Sequence, residues 1–240
     1  MGETAKESAE PFIPGRLPLY QDSVVRIRIK SIGCEYTVSK ELLCAQSSVF
    51  TAMFEGGFRE AQQQTVDLEE MEDVVSKKSH KALFQWLHLG FIGFGIHCDP
   101  EERIEAAIEL ARLADKYEIT RIESQTAQYI KETIIANRLP ADNQGRVPID
   151  SNTHLLGEED IISALMLRDG HPVRHVLAAA CVRGYLQKEK HDFASTAREY
   201  PKFAADLLHE ARLALNTLTP LRSSIFKDPI GGKKWYLENL

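Results

Sequence analysis

The stretch His209-Glu210-Ala211-Arg212-Leu213 begins like the zinc-protease helix, where two histidines four residues apart share a helix face and the intervening glutamate acts as base. Leu213 stands where the second histidine must be, so that chemistry has no ligand pair. His171 and His175 have the spacing of four, but Pro172 and a helix start intervene and no third ligand is close in sequence. Gly93-Phe94-Gly95 lacks the third glycine of a dinucleotide loop and does not sit between a strand and a capped helix. His80, His88 and His97 are scattered, and no Ser, His and Asp grouping has nucleophile-elbow spacing. The expectation is a non-enzymatic chain with no metal and no cofactor.

The 240 residues allow one large or two small units, and 43% hydrophobic content is enough to build a core. A net charge of -6 argues against direct nucleic-acid binding, which needs clustered Lys and Arg to neutralise phosphates. Cys34, Cys44, Cys98 and Cys181 form no CxxC pair and no dense framework, which suits a reducing compartment. The first residues lack the apolar core of a signal peptide, and no run approaches a membrane span. A cytoplasmic or nuclear location without a membrane partner is expected.

Residues 1–19 carry Pro11, Pro14 and Pro18 and read as a disordered tail. Val25, Ile27 and Ile29 alternate with Arg26, Arg28 and Lys30, and Cys34, Tyr36 and Val38 alternate after Gly33, predicting a hairpin. Ser39 and Ser47 or Ser48 can cap two short helices, the second with Phe50, Met53 and Phe54 on one face before Gly56 and Gly57. Val66 and Leu68 read as a short strand. A helix over about 79–89 stops at Gly90. Asp99-Pro100-Glu101-Glu102 starts a helix whose stripe is Ile104, Ala107, Ile108, Ala111 and Ala114. Thr120 and Glu123 predict a capping box for the next, which carries Ile122, Ala127, Ile130 and Ile134. Residues 137–157 have no period and read as a linker. A helical extension over 158–217 and a mobile tail over 218–240 follow.

This order of elements, with YTVSKELLCAQSSVFTAMFEGGFREAQQQTVDLEE and QWLHLGFI, resembles the BTB/POZ family over residues 20–136. The segments ALMLRDGHPVRHVLAAACVRGYL and YPKFAADLL resemble the helical tail common in BTB proteins of filamentous fungi. The resemblance implies an α+β BTB/POZ fold, a small sheet flanked by helices, followed by an all-α extension. Around His88–Gly90 it is similar to the segment where the family usually has a tyrosine and a glycine, and it departs from the family at Ser39, where histidine is common and Lys40 takes the basic position that follows.

The same resemblance implies a protein–protein interaction module acting as a scaffold or oligomerisation domain, with other proteins or a second copy as partners. Phe58-Arg59-Glu60 matches the hydrophobic-x-acidic motif by which BTB adaptors contact cullin 3, so a ubiquitin-ligase adaptor is the alternative. The plainer reading packs Phe58 on its own domain and leaves Glu60 solvated. Asp22 and Lys40 match a charged pocket that BTB transcription factors use for co-repressors, which would suit a co-regulator acting through protein contacts; they also read as ordinary surface charges. Arg26, Arg28 and Lys30 could meet an acidic partner, or be the solvated face that alternation produces anyway. Trp235 and Tyr236, after Lys233 and Lys234, could dock elsewhere or fold back on the extension.

Overall fold

The computed structural model describes residues 23–30, 32–68, 76–95, 97–218 and 225–237. Period-2 alternation places Val25, Ile27 and Ile29 of β1 (Val24–Ile29) on one buried face. β2 (Cys34–Ser39) pairs antiparallel, setting Val25 opposite Val38 and Ile27 opposite Tyr36. β3 (Thr65–Leu68) lies parallel on the other side of β1, with Val66 beside Ile27, giving the order β2-β1-β3. A parallel partner requires a crossover. It is made by three short helices: α1 (Lys40–Gln46), α2 (Ser48–Glu55) and α3 (Arg59–Gln63). Ser39 caps α1 through the Leu42 amide and Ser47 caps α2 through the Phe50 amide, as the serine positions suggested.

Helix α4 (Lys77–Leu89) begins at Ser76, whose hydroxyl accepts from the Lys78 and Ser79 amides, and stops at Gly90 in the left-handed region. Then come α5 (Pro100–Lys116), with its proline in the first turn, and α6 (Ile122–Ala136). The expected Thr120–Glu123 capping box does not form. Arg121 takes the cap position with φ 73° and no side chain caps the helix. Buried Ile119 bridges to Ser47 and buried Ile122 enters the core, so packing fixes the chain's entry into α6.

The extension consists of α7 (Glu158–Ala164), α8 (Pro172–Gln187), α9 (Ala194–Glu199), α10 (Pro201–Leu215) and a hairpin of β4 (Ile225–Lys227) and β5 (Lys234–Tyr236). The polar stretch 137–157 differs from the expected linker at its C-terminal end. Ser151, Asn152, Thr153 and Leu155 are buried around a 3-10 turn at Ile149–Asn152. The tail expected to be mobile differs too, because 225–237 is the hairpin and buries Phe226, Asp228 and Ile230. Both segments are tied down by internal polar contacts: Arg183 donates to the carbonyls of Val147 and Pro148, and Arg138 pairs with Asp228 at 2.7 Å. Trp235 folds back, its ring 3.5 Å from the Arg183 guanidinium.

Two apolar cores meet at α5. Leu110, Leu113 and Ala114 turn toward the sheet, α2 and α4, whereas Ile104, Ala107, Ile108 and Ala111 turn toward the extension. The second core continues through Ile130 and Ile134 of α6, Val173 and Leu177 of α8, Phe203 and Leu207 of α10, and Phe226. Of the stripe predicted on α5, Ile104, Ala107, Ile108 and Ala111 face the extension, whereas Ala114 faces the sheet-side core.

Candidate functional site

Buried Phe50 and Phe54 anchor α2 and aim its C-terminus outward. The chain turns at Gly56, where an added Cβ would lie 2.3 Å from the Ala52 carbonyl oxygen and 3.0 Å from the Phe58 ring. Only glycine allows that approach. Phe58 follows in an extended conformation as the residue before α3 and is 61% exposed. An exposed phenylalanine with its backbone pinned on both sides has the character of an interface anchor, losing little freedom on contact. Glu60 is half-buried in the first turn of α3, two residues after Phe58.

Lys40 starts α1, its amide donating to the Ser23 carbonyl at 2.9 Å, and its side chain is partly exposed. Asp22 lies outside the described residues. Of the basic strand face, Arg28 and Lys30 both pair with Asp67 of β3, at 2.8 and 2.9 Å. Those pairs tie β1 to β3, while the positive face itself stays solvent-exposed.

A cleft of about 770 Å³ opens between α5 and α7, with Ile108, Leu155 and Ile162 on its lining and Glu101, Glu105, Glu109, Glu159 and Asp160 around it. Burial pushes the Asp160 carboxyl up to about 6, and burial likewise raises Glu109. Both serve the helices. Asp160 accepts from the Gly157 amide at 2.8 Å and so caps α7, and Glu109 sits in the packed face of α5 near Ser76 and Ser79, which oppose the upward shift that burial imposes. Burial in packed helices thus accounts for the raised values without a catalytic pairing.

The His171–His175 pair separates. His171 is fully buried and caps α8, its Nδ1 accepting from the Val173 amide, while His175 turns toward α10. There it meets two residues of the broken protease-like motif, His209 and Glu210. Neither helix alone carries that cluster, so no local spacing announced it.

A three-stranded sheet closed by a parallel crossover of short helices and backed by a helix pair defines an α+β domain, with a mostly helical extension that ends in a β-hairpin packed on it. Residues 19–134 match the family model of the BTB/POZ domain, and the chain is a BTB/POZ-domain protein. That family consists of protein-interaction domains. No curated protein matches the chain. Among the described residues, no helix is long and apolar enough to cross a membrane.

Proposed function

We propose that this chain is a scaffold or oligomerisation module, whose BTB/POZ domain engages a second protein or a second copy and so fixes the helical extension in space. The observation that carries this reading is the shared helix pair. α5 and α6 belong to both cores, so a partner gripping the BTB/POZ domain holds the extension at a set orientation without a flexible joint. The extension also covers the outer side of α5 and α6, which directs partners to the remaining surface. Light scattering over a wide concentration range tests oligomerisation; a mass that grows toward a dimer supports it, and a strict monomer at high concentration removes it.

The exposure of Phe58 favours a second reading, a cullin 3 adaptor whose extension binds the substrate. Sub-micromolar affinity for the cullin 3 N-terminal domain, lost in a Phe58→Ala, Glu60→Lys double variant, would establish it. The Phe58→Ala substitution alone should change folding stability by no more than about 0.5 kcal/mol, because the ring is mostly in solvent. Absence of binding by the well-folded wild type would leave the scaffold reading alone.

A further inference from the structure

We propose that His175, His209 and Glu210 form a binding site for a divalent transition-metal cation of the zinc class, bridging α8 and α10. One ligand atom from each of the three lies within 4.8 Å of the other two. A tetrahedral ion with bonds of about 2.0–2.1 Å needs its ligand atoms about 3.3 Å apart, so binding draws the three side chains closer together. His175 Nδ1 already donates to Glu210 Oε1 at 2.9 Å, and the two imidazole rings stand 5.4 Å apart at 58°. Glu210 is buried, His175 is partly exposed and His209 is exposed, so an ion reaches the cluster from solvent and rests against a buried carboxylate.

The helices hold the cluster in register. Leu177 of α8 packs in one core with Phe203, Leu207 and Ala211 of α10, and Arg174 of α8 is paired with Asp206 of α10 at 2.8 Å, one turn before Glu210. Asp169 takes a second arm of Arg174 at 2.6 Å, so the guanidinium next to His175 in sequence is neutralised and does not repel a cation. Two imidazoles and one carboxylate select zinc, nickel or copper over calcium and magnesium, which demand oxygen ligands. Binding replaces the shared proton with the ion: the His175 ring carries its hydrogen on Nε2, and Nδ1 and Oε1 both turn lone pairs to the metal. The fourth position stays open to water. This site is independent of the scaffold and adaptor readings.

The test uses the full chain freed of metal. Zinc titrated calorimetrically, and cobalt followed by its visible absorption bands, should each bind at one ion per chain, and zinc should raise the thermal unfolding midpoint. His209→Ala, at an exposed position that should not disturb folding, and Glu210→Gln should each weaken zinc binding at least about tenfold and abolish the tetrahedral cobalt bands. The proposal is overturned by a wild type that binds no zinc saturably, or by a His209→Ala variant that folds and binds zinc as tightly as wild type, which would assign the ion to other ligands such as the free cysteines.

Discussion

The two cores that meet at α5 are held by different means. Around the sheet, Val25, Ile27, Leu43, Phe50, Phe54 and Leu83 are almost wholly buried and supply stability through apolar burial and dispersion. Beyond α5 the apolar core is threaded by buried polar groups. Arg174, Arg183, Asn152, His171 and Asp228 are each less than 5% exposed and hold loops and hairpin to the helices. The first region needs only small buried polar groups such as Ser47 and Ser79, because its strands and helices satisfy most of their own backbones. The second packs long irregular segments, whose carbonyls and amides need side-chain partners if they are to be buried. Buried polar residues here specify where loops go, and the apolar ones supply most of the driving force.

Three substitutions break or sharpen that contrast. Phe50→Ala, removing a fully buried ring stacked at 5.0 Å on Tyr117, should cost about 4 kcal/mol in urea unfolding. A loss below about 1 kcal/mol would show that the sheet-side core is not the dominant store of stability. Asp228→Ala should cost about 3 kcal/mol, since it strands Arg138 and the Asn152 amide together, and should free the hairpin first. Proteolysis at Lys233 or Lys234 before global unfolding would report that release; an unchanged cleavage rate would refute the clasp.

The smallest effect concerns Asp160. Its folded carboxyl titrates at about 6, chiefly because it is buried, against about 3.9 in an unfolded chain. Between those values the folded state keeps a proton that the unfolded state has released, so this group's contribution to stability grows as pH falls through 6 and is lost as pH rises. Asp160→Asn should therefore melt above wild type at pH 7.5, with the gap closing by pH 4.5. A gap that is constant with pH would contradict the assignment.

Much of the sheet side was legible because period-2 alternation at Val25–Ile29, the serine caps at 39 and 47 and the stop at Gly90 are local signals read without knowing the fold. The start of α6 was not, because Ile119 and Ile122 set it by tertiary packing. The fate of 137–157 and 225–237 was hidden for the same reason: their burial depends on Arg183 and Arg138, tens of residues away in sequence. α8 is buried on nearly all sides and mixes Arg174 and Arg183 among its apolar residues, so no stripe marks which face meets which neighbour. At the candidate sites, Phe58 stands exposed just before α3 and Glu60 is half-buried in its first turn. The histidine cluster joins residues 34 and 35 positions apart, which no motif read along the chain connects.

The double duty of α5 and α6 has a consequence for synthesis. Their outer face, with Ile104, Ile108, Ile130 and Ile134, leaves the ribosome before α8 and α10, the helices that cover it. The last residue of α10 follows the end of the matched domain by about 80 residues, so at 5–20 residues per second the face waits roughly 4 to 16 s for its cover. During that interval the nascent chain displays an apolar surface suited to a chaperone or to the same face of a neighbouring nascent chain. The timing of translation, as well as the finished contacts, then governs how much of the protein reaches its native form.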